Sequence, residues 1–585
     1  MVSQRGELKM HSTNLGRTAF AIVCAAVILL STIGSPIKKA NAQGVIPYQL
    51  IAKVYTEVLG RAPDPAGWKI HSDWFAQVGC SLSTVKLFVT TALKTWPEFQ
   101  NLGYDNGAKI LVLFRVVMQR DPDLAGFNYH LGLLNNGTFT WNQLVDAFIA
   151  NAEFTNSVFN ATSAVNGGKP KPAICNNSAP NTASTYWRTS VAPPQIPTNT
   201  CGSDPYFTGG TSTQFNAFMT QQSGTTIYLA QKAVVKVDNQ IYLPAGKTIT
   251  TWPGNLTPNK YALMARFARN TSGGGAVIGF DSTNATVLKG VWVDGRHRAV
   301  EGGGFSFSAS NVNISLLNAT NYQILTNRVS DSIGLTAIQL NATNVANANG
   351  TVSGNLVTGY ATTHFDAHGG GWGDGIDISS SPVTLSNNQI VDVTDVGIVL
   401  FSNNAPGGSQ NSVVQNNTIV NSGNSAYAAI GVDPQFAAGD YAFTNAVVSN
   451  NTMWTGSPSR YDVVFAVGTR AWPPPGCTTP PDCPGGAHGR MVGGSYSNNN
   501  SGLIPGTSNY LPVRAKTAII IAGASGVTVQ GNGFNHVGVS TITNNSCPFT
   551  NVAKDSDPFW ANGSLQQITW SSGPILNCLG IVNVN

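Results

Sequence analysis

The stretches Asn388-Gln389-Ile390 and Asn417-Thr418-Ile419 decide the fold, because the same phrase recurs along the chain. An Asn followed within two residues by a strand-type residue occurs repeatedly between residues 326 and 545. The Asn residues of these phrases are Asn327, Asn355, Asn388, Asn417, Asn451, Asn532 and, more loosely, Asn544. Successive intervals from Asn327 to Asn451 are 28, 33, 29 and 34 residues. A unit that recurs about every thirty positions predicts a solenoid.

The residues around these phrases indicate which solenoid it is. Asn and Gly tolerate the left-handed backbone region that a sharp turn between strands requires. A turn at the same place in every coil would stack Asn on Asn, with the side-chain amides hydrogen-bonded along the stack. Apolar pieces such as Gly397-Ile398-Val399-Leu400-Phe401 are typical of strands buried on one side.

In these features residues 215–585 resemble the right-handed parallel β-helix proteins, the architecture of pectate lyases and polygalacturonases. The resemblance implies a mainly β fold, a right-handed parallel β-helix solenoid, joined here to a small all-α N-terminal domain. The same fold also carries adhesins and phage tailspikes, so the fold does not fix the function.

The composition suits a large folded protein with uncharged turns. The chain of 585 residues is too long for one ordinary core, so two or three domains are expected. Charged residues make up only 10% of the chain, whereas about a quarter is usual, and 62 residues are Gly. The 42% of apolar residues can bury a large core, which excludes general disorder.

Residues 1–42 have the pattern of a bacterial secretory signal peptide. A basic start with Arg5, Lys9 and Arg17 precedes an apolar run over residues 19–33 and the A-x-A site Ala40-Asn41-Ala42. An uncleaved anchor is the alternative, although the run is short for a membrane span. Cleavage would remove five basic residues and one acidic residue and lower the formal charge from +5 to +1. We therefore expect a secreted or cell-surface bacterial protein, with no membrane span after cleavage and no nucleic-acid partner.

Residues 43–160 are predicted to form a duplicated helical domain. The segment 59–68 returns 59 positions later as 118–127, and the copies close on Glu98-Phe99 and Glu153-Phe154. In each copy a helix ends before a Pro-Asp turn and another helix follows. This pattern resembles an extracellular bacterial family of unknown function related to the phycobilisome linker domain. The resemblance implies a role in attachment or assembly.

The turn of each copy contains an Arg and an Asp, Arg61 with Asp64 and Arg120 with Asp123. We interpret each pair as a salt bridge and a helix cap that fix the turn. The alternative interpretation is a binding site.

Residues 161–214 are predicted to be a Pro-rich linker between the helical domain and the β-helix. Prolines such as Pro193-Pro194 make a linker semi-rigid, so the helical domain is expected to be positioned independently. Export would permit disulfides. The bracketing of loops predicts local pairs that leave Cys80 free: Cys175 with Cys201, Cys477 with Cys483, and Cys547 with Cys578.

The densest polar cluster lies between residues 364 and 377. In an extended strand His364, Asp366 and His368 would point to one face. Such a set could bind a divalent metal such as calcium, or it could hold a general acid and base. The alternative is a polar, solvated Gly-rich loop between coils.

Two carboxylates near this cluster, Asp374 and Asp395, are candidates for acid/base catalysis. Asp374 and Asp395 are 21 residues apart, about one short coil, so stacking would bring them near each other. Two carboxylates on adjacent coils are the minimum for glycoside hydrolysis, one as general acid and one to activate water. Asp374 and Asp395 are therefore the candidate acid/base pair, and Asp377 is a third catalytic candidate.

At these carboxylates the chain resembles the polygalacturonases, whose Asn-Thr-Asp-Gly and Gly-Asp-Asp motifs occupy neighbouring coils. Asp374-Gly375 matches the end of the first motif, and Asp395 matches the first carboxylate of the second. Val396 stands in place of the second carboxylate, and Ser422-Gly423-Asn424 stands where the family has Gly-His-Gly. These departures leave polygalacturonase activity itself without support.

A β-helix lyase would instead need a basic proton acceptor and a cation that neutralises a uronate carboxylate. The 48-residue gap from Asn451 to Asn499 indicates an insertion, and insertions in solenoids often form a binding wall. Basic candidates in or after it are Arg470, His488, Arg490, Arg514 and Lys516. The predicted substrate-binding residues are Trp372, which could stack on a sugar ring, Arg470, His488 and Arg490.

The leading hypothesis is a secreted carbohydrate-active β-helix protein, a polysaccharide hydrolase or lyase, whose groove lies over residues 360–400. The rival hypothesis is a non-catalytic surface or adhesion protein in which the helical domain attaches or assembles. The low charge favours the rival, because grooves that cleave polyuronates tend to be basic, and the His/Asp cluster favours the enzyme.

Overall fold

The computed structural model consists of a helical region followed by a β-solenoid. It describes residues 45–160, 174–175, 193–270, 275–296, 311–332, 334–341, 348–359, 373–401, 409–423, 425–433, 439–457, 459–468, 489–522, 524–538 and four short C-terminal strands. The predicted signal segment lies outside these residues. Among the helices within them, none is both long and apolar enough to cross a membrane.

The helical region repeats one arrangement twice. Its α-helices span Tyr48–Val54, Pro65–Val78, Leu82–Thr95, Pro97–Gln100, Asn106–Leu113, Leu124–Asn135 and Trp141–Ala150. Single π-helical segments follow at Tyr55–Leu59, Phe114–Met118 and Phe154–Phe159. The first two of these end at corresponding positions of the duplicated segments, so the sequence repeat is also a structural repeat.

The interpretation of the Pro-Asp turns as fixed by a cap and salt bridges is confirmed. The Asp64 carboxylate caps the helix Pro65–Val78 by accepting a hydrogen bond of 2.8 Å from the Gly67 N–H. Arg61 lies 3.0 Å from Asp64 and also donates to Glu98, the acidic residue that closes the first copy. The second copy repeats this geometry.

Most of the solenoid consists of three long sheets. Sheet 1 comprises β1 (Tyr206–Phe207), β3 (Thr226–Leu229), β6 (Thr248–Thr251), β9 (Val287–Lys289), β12 (Gln323–Leu325), β15 (Gly350–Ser353), β18 (Val383–Ser386), β21 (Val413–Gln415), β25 (Val447–Ser449), β29 (Ser495–Ser497), β32 (Val527–Gln530) and β37 (Ile581–Val582). Sheet 2 comprises β2 (Gly210–Thr211), β4 (Val234–Val237), β7 (Arg266–Arg269), β10 (Trp292–Asp294), β13 (Arg328–Ser330), β16 (Leu356–Thr358), β19 (Gln389–Val391), β22 (Thr418–Asn421) and β26 (Thr452–Thr455).

Sheet 3 closes each coil. Its strands are β5 (Ile241–Tyr242), β8 (Ile278–Asp281), β11 (Ile314–Leu317), β14 (Thr336–Asn341), β17 (Asp374–Ser379), β20 (Val396–Phe401), β23 (Ser425–Asp433), β27 (Arg460–Gly468), β30 (Pro512–Ala522), β33 (Phe534–Gly538), β34 (Ala553–Lys554), β35 (Leu565–Gln567) and β36 (Ser572–Ile575). A small fourth sheet joins β24 (Gly439–Ala442), β28 (Gly489–Val492) and β31 (Ala524–Ser525). Antiparallel pairing involves β34 to β37 near the C-terminus, and the pairs before them are parallel.

The succession of one strand per sheet in every coil makes this a parallel β-helix, as the sequence repeat predicts. Inward side chains stack in columns, of which one on sheet 3 is Ile278, Ile314, Ile338, Ile376, Ile398 and Ile430. All of these are buried in one apolar core. The helix Ser212–Gln221 places Phe215 against the same core, and a 3₁₀ segment spans Pro258–Leu263.

The recurring asparagines form a continuous buried ladder between sheets 1 and 2. The backbone N–H and the Nδ2 of each member donate to the Oδ1 of the member on the next coil, in the order Asn327, Asn355, Asn388, Asn417, Asn451, Asn499 and Asn532. The predicted stack of amides is therefore present. Asn544 lies outside the described residues.

The left-handed turn belongs to the residue before each ladder Asn. Asn387, Asn416, Asn450 and Asn498 have φ between 56° and 58°, and Gly354 and Gly531 have φ of 68° and 65°. The turn chemistry and the hydrogen-bonded stack are therefore divided between two neighbouring residues, which explains why the phrase is usually preceded by Asn or Gly.

The helical region packs on the outer face of sheet 2, so the expectation that it is positioned independently is wrong. Trp292, Leu356, Val391, Val420 and Trp454 lie on strands of sheet 2 and share one buried apolar cluster with the helices. Residues 44–585 accordingly form one compact unit. The physical reason is that both partners carry apolar faces, which the two separate repeats do not reveal.

Charged groups also join the helical region to the β-helix across this interface. Ion pairs join Glu57 to Arg328 (2.9 Å), Asp121 to Arg266 (2.9 Å) and Asp105 to Lys232 (2.7 Å). The Trp292 ring lies beneath the Arg266 guanidinium, 3.9 Å from its centroid. Burial of these charges without partners would be costly, so the two regions depend on each other.

The predicted pairing of Cys175 with Cys201 is wrong. Cys175 forms a disulfide with Cys80, with a Cα–Cα distance of 5.5 Å, and Cys201 is a free thiol. The two bonded cysteines are 95 residues apart in sequence, so tertiary packing and not loop bracketing decides this pair. Cys477, Cys483, Cys547 and Cys578 lie outside the described residues.

Candidate functional site

The structure describes only some of the predicted site residues. Asp374, Asp377 and Asp395 are described. The predicted metal ligands His364, Asp366 and His368, and the predicted substrate-binding residues Trp372, Arg470 and His488, lie outside the described residues. Arg490 pairs through its backbone with Asp440, and its side chain is not described. The described part by itself contains no cluster of His, Cys, Asp and Glu that could hold a metal ion.

The carboxylates Asp374 and Asp377 both belong to β17, the strand of sheet 3 that begins at Asp374. Asp377 faces away from the core, because Ile376 and Ile378 on either side of it point inward. Asp374 lies beside Thr336 of the preceding coil, and its Oδ1 accepts a hydrogen bond of 2.9 Å from the Val396 N–H of the following coil. Strand pairing and the hydrogen bond from Val396 thus fix Asp374, and the β alternation fixes the direction of Asp377.

The surroundings of Asp377 favour its neutral form. Burial raises the pKa of this carboxyl to about 7, although hydrogen bonds from Ser379 and Gln339 oppose the rise. The Ser379 hydroxyl donates to Oδ1 at 3.1 Å, and Gln339 is the paired residue on β14. Ser379 lies on the same strand as Asp377 and Gln339 lies on the adjacent strand. No sequence motif identified either residue as a partner of Asp377.

The pKa of Asp374 is raised well above its ordinary value. Burial is the larger cause and the negative charge of Asp377 adds to it, while the hydrogen bond from Val396 acts in the opposite direction. The two carboxyls are therefore electrostatically linked, and at neutral pH the pair retains a proton. This combination of a proton donor beside a group that titrates near neutrality is what acid/base chemistry requires.

Asp395 lies on the coil after Asp374, just before β20. Its backbone N–H donates to the Gly373 carbonyl oxygen at 3.2 Å, and its own carbonyl oxygen accepts from Tyr427 and Ala428. The side chain is buried. Asp374 and Asp395 thus lie on neighbouring coils, and the register places Asp374 directly beside Val396.

We expect the pH dependence of stability to report on Asp377. Its pKa is about 7 in the folded protein and about 3.9 in an unfolded chain. Between these values the unfolded chain releases a proton that the folded protein retains, so the stabilisation present below pH 4 is lost as the pH rises to 7. Urea unfolding of the wild type and Asp377→Asn from pH 4 to 8 measures this, and the variant should lose less stability over the range. Parallel profiles would contradict the assignment.

The helical region reaches the same edge of the β-helix, where sheet 2 turns into sheet 3. A Cβ added at Gly456 would lie 2.4 Å from the Tyr48 side chain, and one added at Gly423 would lie 2.7 Å from that of Gln49. The first helix therefore lies directly on coils that follow the carboxylate pair. No sequence motif predicted this contact between the first helix and the β-helix.

The chain matches known proteins in two respects. Residues 92–158 match the family described as a domain of unknown function (DUF4214). This match agrees with a family of unknown function in the helical region, and it does not extend to the phycobilisome linker domain. A search of curated proteins finds no match to the sequence.

Among solved structures, the chain is similar to parallel β-helix proteins. Alginate lyase from Paenibacillus sp. str. FPU-7 is 13% identical with a TM-score of 0.33, over 55% of this chain and 99% of that chain. Endo-xylogalacturonan hydrolase from Aspergillus tubingensis is 14% identical with a TM-score of 0.37, over 58% and 84%. PfbA, a surface adhesin of Streptococcus pneumoniae, is 12% identical with a TM-score of 0.32, over 62% and 95%. Such values carry no argument about function, and the fold rests on the strand pairing.

Proposed function

We propose that this protein is a secreted or cell-surface polysaccharide hydrolase whose acid/base groups are Asp374 and Asp377. The observation that carries the proposal is the pair of linked carboxyls on β17, both with raised pKa values. Asp374 would protonate the leaving glycosidic oxygen, and Asp377, which titrates near neutrality, would act as the base or nucleophile. The disulfide Cys80–Cys175 is compatible with export.

Asp395, the partner of Asp374 in the sequence-based hypothesis, has a different place in this proposal. It lies on the neighbouring coil, where it would support the position of Asp374 through the strand that donates to the Asp374 carboxylate. The predicted metal site at His364, Asp366 and His368, with calcium as a candidate ion, and the predicted sugar contacts of Trp372, Arg470, His488 and Arg490 remain predictions.

The expected result of Asp374→Asn is a loss of hydrolysis by a factor of about 10² to 10⁴, because the amide cannot donate the proton. Release of reducing sugar from a panel of polysaccharides measures it, and absorbance of unsaturated uronates in the same samples detects a lyase. Asp281→Asn is the matched control, since Asp281 is an exposed carboxylate at the end of β8 on the same sheet. Full activity of a folded Asp374→Asn variant would remove Asp374 from the mechanism.

A second candidate function, attachment to another macromolecule, is favoured by exposed apolar side chains of the helical region. Ile70, Val78, Leu87, Leu124 and Tyr129 are large apolar side chains that remain between 45% and 64% exposed. They lie on the three helices Pro65–Val78, Leu82–Thr95 and Leu124–Asn135, and such side chains form an interaction surface where they are contiguous. Binding of a polymer or surface without cleavage of any member of the panel would favour this candidate.

A further inference from the structure

Two arginines lie side by side on the outer face of sheet 3. Ser425 pairs with Arg460 and Tyr461 pairs with Ala515, so the parallel register of β27 and β30 places Arg460 beside Arg514. Tyr461 and Ala515 belong to the buried core, and Arg460 and Arg514 therefore point outward. Adjacent strands are about 4.8 Å apart. The two arginines thus occupy adjacent positions on one face of the sheet.

This placement is unfavourable unless an anion is present. Like charges directly opposite each other in a sheet repel. Five other arginines of the described chain, Arg61, Arg115, Arg120, Arg266 and Arg328, are paired with carboxylates, whereas Arg269 and Arg296 donate to backbone carbonyl oxygens. Among the described residues, the side chains of Arg460 and Arg514 have neither an ion pair nor a hydrogen-bond acceptor. The Nε of each is buried without a partner, as it also is in Arg269 and Arg328. A buried donor without an acceptor is unfavourable, and a bound anion would remove this cost.

The pair lies on the same sheet as the carboxylates and near the helical region. β27 and β30 are the third and fourth strands after β17, which corresponds to roughly 14 and 19 Å along the axis. Burial raises the pKa of the Tyr48 hydroxyl, and the charge of Arg514 is among the effects that lower it, so this guanidinium lies close to the first helix. Both arginines are partly exposed, which leaves them accessible to a ligand.

We propose that Arg460 and Arg514 together bind an anionic group, a carboxylate or a sulfate, of an acidic glycan on the outer face of sheet 3. The inference rests on the proposed function and specifies its substrate class. Guanidinium groups bind such oxyanions through paired N–H donors, and one anion between two of them satisfies donors that the protein leaves free. A glycan that also reaches Asp374 would extend over three to four coils.

Binding in the absence of turnover tests the inference. The full chain carrying Asp374→Asn is titrated calorimetrically with polygalacturonate, with a sulfated galactan and with uncharged dextran, and the titrations are repeated after adding Arg460→Gln and Arg514→Gln. We expect the double replacement to raise the Kd for the acidic polymer at least tenfold. Lys289→Gln, which removes a charge from the outer face of sheet 1, is the control and should leave the Kd unchanged. Tight binding of only one acidic polymer identifies carboxylate or sulfate as the recognised group.

A second pair of replacements guards against misfolding. Arg460→Lys with Arg514→Lys retains both charges but loses the planar fork, and we expect a smaller rise in Kd together with an unchanged melting temperature. An unchanged Kd in a folded double Gln variant overturns the inference, as does failure of the starting protein to bind either acidic polymer. The proposed hydrolase fails separately if acidic glycans bind but Asp374→Asn does not reduce cleavage.

Discussion

Replacement of Glu57 by Gln is expected to destabilise the protein by about 3 to 5 kcal/mol, because it removes the shared negative charge from a buried cluster. The Glu57 carboxylate accepts from Arg115 at 2.9 Å and from Arg328 at 2.9 Å, and the Tyr261 hydroxyl donates to it at 2.9 Å. Arg115 belongs to the helical region, whereas Arg328 and Tyr261 belong to the β-helix. The substitution leaves two buried cations without a full countercharge at the interface.

The electrostatics of Glu57 agree with this role. Burial alone would raise the pKa of its carboxyl, but the charges of Arg115, Arg328 and Lys53 hold it well below its usual range. The carboxylate is thus fully ionised at neutral pH, and its partners depend on that charge.

Urea unfolding at neutral pH measures the loss, with Glu98→Gln as the matched control. Glu98 also pairs with an arginine, Arg61, but its side chain is 39% exposed, so its removal should cost less than about 1 kcal/mol. Similar free energies of unfolding for the two variants would show that the buried cluster does not hold the helical region in place.

Replacement of Asn388 by Leu is expected to cost about 3 to 6 kcal/mol, because it interrupts the asparagine ladder. The Asn388 Oδ1 accepts from the backbone N–H and the Nδ2 of Asn355, at 3.1 and 2.9 Å. Its Nδ2 donates to the Val352 carbonyl oxygen at 3.0 Å and to Asn417 at 3.0 Å. Leu has a similar size but would leave all of these buried groups without partners.

The adjacent position supplies the control for this experiment. Asn387 has a φ of 56°, and its equivalents on other coils are Gly354 and Gly531. Gly adopts this backbone region without strain, so Asn387→Gly should change the stability by less than about 1 kcal/mol. The shift in the urea midpoint of each variant gives the comparison, and equal losses at the two positions would contradict the assignment of the hydrogen bonds to Asn388.

The turns of the helical region show which features neighbouring residues in the sequence can predict. The repeated Arg and Asp around each Pro-Asp turn predicted a capped and bridged turn, and Asp64 with Arg61 has that geometry. Every partner in this case lies on the same repeat. The disulfide could not be predicted in this way, because Cys80 and Cys175 are brought together only by the tertiary packing of the chain that follows the helices.

The candidate site was predicted only in part. The spacing of 21 residues placed Asp374 and Asp395 on neighbouring coils. The link between Asp374 and Asp377, and the hydrogen bond from Gln339 to Asp377, depend on strand pairing that the spacing alone does not specify. No motif predicted a role for Arg460, because its neighbour in the sheet, Arg514, is 54 positions away in the sequence.

The sequence by itself determined the solenoid, its turn chemistry and the duplicated helical turns, because each depends on contacts that repeat at a short, regular interval. The tertiary structure decided the docking of the helices on sheet 2, the disulfide, the linked carboxyls and the paired arginines. These features join residues whose separation follows no period, and their energies come from desolvation and charge, which depend on what surrounds a group in space.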